Sequence, residues 1–192
     1  ISARLKAIHR TESDVLVWPG SGSAGWEIAI TNLLSPGDKV VVTVCGDFGE
    51  RFFRVATKLG LDVHRIDRAW GQAVTADDVA QALETVPGCK AVLVTHNETS
   101  TGVTNPLKEI AAVAQAADAL IIVDAVSSAS ALPLEMDDWG LDAVISGSQK
   151  AWMCPPGLVI CAFGPRAWEA NETSGYHRFF WDITAARAFA AE

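Results

Sequence analysis

Long apolar runs are missing from this sequence. It is 49% hydrophobic over 192 residues, but the apolar residues fall in short stretches parted by polar turns. None approaches the ~20 residues needed to span a bilayer. A charged-then-apolar leader is missing from the opening too. The expectation is a soluble, intracellular and cytoplasmic protein with no membrane partner. Positive charge is also scarce. Fifteen Lys and Arg stand against 23 Asp and Glu, for a formal charge of −8, and no basic cluster is present. Nucleic-acid binding rests on concentrated positive charge, so no nucleic-acid partner is expected. Paired cysteines are absent: Cys45, Cys89, Cys154 and Cys161 stand far apart with no C-x-x-C. Neither a zinc site nor a redox motif is suggested, no metal is expected, and free thiols fit a reducing compartment. There is no repeat, linker or low-complexity segment, and the length suits one domain with a sizeable core.

What is there is an alternation. Residues 1–13 read as the end of an amphipathic helix. Residues 14–18 read as a strand, and 23–34 as a helix closed by Ser35-Pro-Gly-Asp38. Strands follow at 39–44, 61–66, 90–95, 119–124, 142–146 and 158–163. Helices are expected at 48–59, ending at Gly60, at 75–86 with Thr75 as N-cap, and at 106–117. Asp137 and Asp138 read as the capping start of a further short helix. Strands apolar on both faces, alternating with helices, imply an α/β fold of three αβα layers around a mostly parallel sheet. In such folds ligands bind at the carboxyl ends of the strands.

The residues at those ends carry the chemistry. Gly20, Gly22 and Gly25 have the spacing G-x-G-x-x-G between a strand and a helix. Unpaired N–H groups and the helix dipole make such a turn an anion site. Its dinucleotide form also needs an acid at the end of the second strand, and only Asp47, inside another glycine turn, is near. A tight structural turn is the plain alternative. Lys150 ends the stretch S-G-S-Q-K after an apolar strand. Two readings stand side by side there: an ordinary solvated or paired lysine, or an amine set to form a Schiff base with a carbonyl. Asp124 decides between them. It ends the run L-I-I-V, where a carboxylate needs a positive partner or donors. A Schiff-base lysine, an acid for a pyridine nitrogen and a phosphate cup are the three requirements of a pyridoxal phosphate (PLP) site. Lys150, Asp124 and Gly22-Ser23 supply one of each at the same rim. Phe48 serves either to cover one face of the ring or as a core aromatic at a helix start. His96 reads as a hydrogen-bonded turn histidine rather than a general base, since it has no partner for a hydrolase triad. The G-x-S-x-G elbow is absent as well.

Six stretches then carry a resemblance: G-S-G-S-A-G-W-E, N-L-L-S-P-G-D-K-V, C-G-D-F-G-E-R-F, T-H-N-E-T-S-T-G-V, I-V-D-A-V-S-S and S-G-S-Q-K-A-W-M-C-P-P-G. In order and spacing they resemble the class V aminotransferases, fold-type-I PLP enzymes, and within them the alanine/serine–glyoxylate branch. The resemblance implies transfer of an amino group from a small amino acid, alanine or serine, to a 2-oxo acid such as glyoxylate. It implies that Lys150 binds the cofactor and shuttles the proton, and that Asp124 holds the pyridine nitrogen protonated. It places Val126 against the ring opposite Phe48, and Thr99 at the phenolic oxygen. Gly22, Ser23 and Gln149 would hold the phosphate. Some relatives carry Trp where Phe48 stands and His where Ser23 stands. It also implies a homodimer. Residues 1–192 read as the PLP-binding large domain, without the N-terminal arm or the C-terminal small domain that carries the arginine for the substrate carboxylate.

Two alternatives remain. A cysteine desulfurase or related lyase of the same family usually has His at the Gln149 position and needs a mobile-loop cysteine that this sequence does not identify. A nucleotide-binding α/β module would carry no covalent cofactor.

Overall fold

The computed structural model describes residues 2–190. Ile1, Ala191 and Glu192, which fall within the expected opening helix and domain, lie outside the described residues. Helix α1 (Ser2–His9) leads to β1 (Asp14–Pro19), α2 (Gly22–Leu33), β2 (Lys39–Val44), α3 (Asp47–Lys58) and β3 (Asp62–Asp67). Then come α4 (Ala76–Thr85), β4 (Ala91–Thr95), a two-residue pair β5 (Asn97–Glu98) and β6 (Val103–Thr104), and α5 (Leu107–Ala116). The order closes with β7 (Leu120–Asp124), β8 (Ala143–Gly147), β9 (Leu158–Phe163), α6 (Pro165–Thr173) and α7 (Ile183–Ala190).

Seven strands form one sheet in the order β1-β9-β8-β7-β4-β2-β3. The α/β expectation holds, and β9 is the strand that breaks the parallel rule. It runs antiparallel to both β1 and β8. Parallel neighbours need a long crossover, whereas antiparallel ones need only a loop. The segment from Ser148 to Gly157 is such a loop, so it stays at the rim where β8 ends and carries Lys150 there.

Side chains alternate across each strand and define two cores. Val40, Val42, Leu93, Ile122 and Ile145 face α2, α3 and α6, with Trp26, Phe52 and Ala167. Val41, Val92, Val94, Ile121 and Val144 face the other way, onto α4 and α5, with Val79, Leu107 and Ile110. Helix α2 approaches the sheet closely because it has no side chain where it touches. A Cβ at Gly25 would collide with Ile145 Cγ2 and sit 2.9 Å from Val159 Cγ2.

Helix ends follow their local chemistry. Thr75 and Asp78 form a reciprocal capping box at the start of α4. Helix α3 ends in a Schellman closure, with Gly60 at φ +84 and the Leu61 N–H on Ala56 O at 3.2 Å. Two expectations need correction. The helix expected over residues 1–13 stops at His9, because Arg10 takes φ +52 and Thr11 N–H returns to Lys6 O at 3.1 Å. Asp137 and Asp138 start no helix. They lie in a turn, and the Asp137 carboxylate is taken up by the Thr11 hydroxyl and the Glu12 N–H, the latter at 2.8 Å.

The tight seat of α2 sets a stability test. Gly25→Ala should lower stability by about 1–3 kcal/mol, the usual cost of overpacking. Urea unfolding of parent and variant measures it, and an unchanged midpoint would show that the helix has room to shift.

Candidate active site

The carboxyl rim of β4, β7 and β8 gathers the expected residues. Asp124 pairs in register with Thr95 across β4 and β7. It follows Ile122 on the α2 side of the sheet and is 3% exposed. Its Oδ1 accepts the Val126 N–H at 2.9 Å. The indole N–H of Trp26 approaches the same carboxyl and lowers its pKa without completing a hydrogen bond. Burial dominates all the same and pushes the Asp124 pKa up to about 7. The charge of Glu98 raises it further and that of Lys150 lowers it. The Thr95 hydroxyl beside it is buried and has no partner among the described residues. Asp124 is thus a buried acid short of donors, and a cationic N–H would complete it.

Lys150 is half-buried. Its loop is fixed by Ser148, whose hydroxyl donates to Pro155 O at 2.7 Å and accepts the Leu158 N–H at 3.3 Å. Below, the Trp152 ring lies 5.6 Å from the ring of buried His9, so α1 supports the loop from beneath.

Val126 joins three elements. A Cβ at Gly22 would lie 2.6 Å from Val126 Cγ2, and one at Gly147 would lie 3.7 Å from Val126 Cγ1 and 3.1 Å from Gln149 Oε1. Gly22, Val126, Gln149 and Asp124 therefore come together. Gly22 is glycine because Val126 presses on it, not because a ligand needs the space alone. Ser21, the N-cap of α2, is extended and makes no side-chain cap bond. The first N–H groups of this helix thus have no side-chain acceptor among the described residues, and Ser23 and Gln149 are exposed beside them.

The second glycine turn behaves in the opposite way. Its helix, α3, is capped from within by Glu98, which is fully buried and accepts the Phe48 and Gly49 N–H groups at 3.1 and 2.9 Å. Asp47, the acid a dinucleotide would need, pairs with Arg51 at 2.8 Å. Phe48 is half-buried under the Arg51 guanidinium, 5.3 Å from the ring centroid. Thr99 is exposed in the turn of the β5–β6 hairpin. Ser127 ties that hairpin to the loop after Asp124, donating to Asn97 O at 2.9 Å.

His96 falls outside this set. It follows Val92 and Val94 on the opposite face, edge-on to Trp139 at 6.5 Å. It is not the hydrogen-bonded histidine expected, since Nδ1 is buried without a partner and burial lowers its pKa to about 4. The residues that sequence reasoning missed are Trp26, Thr95 and Glu98. Each sits in a quoted stretch, and an apolar indole directly after a glycine turn was the available signal for Trp26. A cavity of about 1080 Å³ opens at the other rim among Asp14, Asp118, Asp142, Arg166, Trp168 and Arg187. Its two arginines are already paired, Arg187 with Asp14 at 2.9 Å and Arg166 with Asp118 at 3.2 Å. It holds none of the groups at the Asp124 rim.

Residues 4–175 match the family described as Aminotransferase class-V. The chain belongs to that family. It is 44% identical over 185 residues to an L-aspartate–glyoxylate aminotransferase of Paracoccus denitrificans, covering 93% of this chain and 46% of that protein. It is also 44% identical over 195 residues to a protein named soluble hydrogenase, small subunit, of a Synechococcus species, covering 100% and 51%. Among solved structures, an alanine–glyoxylate aminotransferase from Nostoc superposes with a TM-score of 0.93 at 30% identity, covering 98% of this chain and 50% of that one. The chain spans about half the length of the curated relatives it matches. Membership implies pyridoxal 5'-phosphate as cofactor, and the donor-poor acid, open helix start and rim lysine fit it. No helix among the described residues is long and apolar enough to cross a membrane.

The Asp124 environment makes stability depend on pH. In the cofactor-free protein its pKa lies above the value of 3.8 taken for an exposed Asp. The folded state thus keeps a proton that the unfolded state releases, and stability falls as pH rises from about 4 to about 7. His9 and His96, lowered by burial, act with the opposite sign below about pH 6.5. The parent-minus-variant difference for Asp124→Asn, taken by urea unfolding across that range, isolates the carboxyl. It should decline steadily with pH, and a flat difference would mean that Asp124 is already ionised.

Proposed function

We propose that this chain is the cofactor-binding large domain of a PLP-dependent aminotransferase that moves an amino group from a small amino acid to a 2-oxo acid such as glyoxylate. The observation that carries the reading is Asp124: a buried carboxyl, short of donors, at the same rim as Lys150 and the uncapped start of α2. Two of the relatives' names share glyoxylate and differ in the donor, aspartate or alanine, so donors beyond alanine and serine belong in any assay. PLP supplies an electron sink that stabilises the carbanion left when the substrate's Cα–H bond breaks.

The chain's own groups do the rest. Lys150 would hold the cofactor through its amine and, once displaced by the substrate's amine, would carry the proton that leaves the substrate α-carbon. Asp124 would take the ionised form beside a cationic pyridine N–H and hold the proton on that nitrogen. The first N–H groups of α2 around Gly22, the Ser23 hydroxyl and the Gln149 amide would hold the phosphate. Val126 and Phe48 would cover the two faces of the ring, and the Thr99 hydroxyl would bond its phenolic oxygen. The tail supports a homodimer through Phe179 and Phe180, 95% and 58% exposed. Trp168 and Trp181 are half-buried against Phe163 and Phe180. Thiols that are all free support a cytoplasmic location.

The test is a titration of the cofactor-free full-length protein with PLP and with NAD, followed by borohydride reduction and peptide mapping. PLP should bind, NAD should not, and the pyridoxyl label should sit on Lys150. Lys150→Ala should lower transamination by roughly 10²–10⁴-fold, the range of a lost general acid–base. A label on Lys39, Lys90 or Lys108, or tight NAD binding without PLP, would overturn the reading.

A further inference from the structure

Glu98 is a fully buried acid to which the reaction outlined above gives no role. Its two oxygens serve two elements. At the start of α3, Oε2 accepts the Phe48 N–H at 3.1 Å and the Gly49 N–H at 2.9 Å, and the Phe48 N–H is shared with Oε1 at 3.3 Å. Oε1 accepts the Ser100 N–H at 3.1 Å and the Ser100 hydroxyl at 2.7 Å, in the hairpin turn. The Ser100 oxygen in turn accepts the Asp47 N–H at 2.9 Å. No Lys or Arg pairs with Glu98 among the described residues; the helix dipole and these donors carry its charge. The surroundings are shaped to admit it. A Cβ at Gly46 would collide with Glu98 Cγ, and one at Gly49 would lie 2.8 Å from Thr43 O. The first glycine of C-G-D-F-G therefore makes room for the acid, and the second lets α3 seat on β2.

A residue serving only as a helix cap would need donors on the helix side alone. Here Oε1 also takes both donors of Ser100, the residue after Thr99, while the Phe48 N–H is shared by both oxygens. We propose that Glu98 is a positioning residue: it clasps the start of α3 to the β5–β6 hairpin and so holds Phe48 and Thr99 at a fixed separation across the cofactor site. The proposal rests on the PLP reading for what the two side chains touch, but the clasp itself does not. The same charge reaches Asp124 and raises its pKa, which places Glu98 within electrostatic range of the site.

Glu98→Gln in the full-length protein tests it. The amide keeps one acceptor and turns an NH₂ toward N–H donors. Amide exchange at Phe48, Gly49 and Ser100 should quicken together by tenfold or more, while β4 and β7 stay protected. PLP affinity should fall about tenfold to a hundredfold, as expected for losing one or two hydrogen bonds to a charge. In a double-mutant cycle, Phe48→Ala should add little to Glu98→Gln, because the clasp acts through Phe48. Parental exchange at these amides, parental PLP affinity or fully additive losses would each overturn the proposal. If Glu98→Gln does not fold, Ser100→Ala opens only the hairpin side. It should weaken PLP binding several-fold, non-additively with Thr99→Ala, and additivity there would count against the clasp. Should the parent protein fail to bind PLP, the functional reading falls, and the exchange measurement alone decides whether the clasp exists.

Discussion

Helix α2 lies nearer the sheet than any side chain at positions 22 and 25 permits, and much of the rim depends on that approach. With Gly25 seated between Ile145 and Val159, the helix points its first N–H groups over the ends of β7 and β8. With Gly22 pressed on Val126, the loop after Asp124 cannot retreat from the helix. Trp26, one residue past the second contact, turns inward, stacks on Phe52 of α3 at 5.3 Å and brings its N–H to Asp124. Two missing side chains thus set the seat of a helix start, the Trp26–Phe52 stack and the polarity around an acid.

Two helices at this rim begin at glycine-containing turns, and they differ in what satisfies them. Glu98 fills the start of α3, while no side chain caps α2. The same backbone chemistry is satisfied internally at α3 and left without a side-chain cap at α2. The division explains why a glycine fingerprint is weak evidence alone: it describes the turn, and the turn's acceptor lies elsewhere in the chain.

The main-sheet strands and the helices α2 to α5 are legible in the sequence because their causes are local, whereas β5, β6, α6 and α7 are not. β2, β4, β7 and β8 are continuous apolar runs, since both faces of a covered parallel sheet are buried. Thr75 with Asp78 and Gly60 mark helix ends by chemistry confined to a few residues. Asp124 and Lys150 stand out for the same reason, as polar groups directly after such runs. The failures have a common cause as well. The Arg10 turn, where the His9 and Arg10 carbonyls accept the Met136 and Asp137 N–H groups, the Asp137 bond to Thr11, and the buried but unpartnered ring of His96 all involve neighbours distant in sequence.

By itself the sequence determines the seven strands of the main sheet, though not the short β5–β6 pair, that a sheet covered on both sides must form, and that Asp124 and Lys150 end at one rim, because periodicity, capping and crossover length are properties of short segments. The tertiary structure decides which helix start stays uncapped, which face of the sheet His96 joins and how far the Asp124 pKa is raised. Those depend on β4 lying between β7 and β2. That order brings Glu98 to amides about fifty residues earlier in the chain and withdraws Asp124 from water, and neither the distance nor the desolvation exists until the strands have paired.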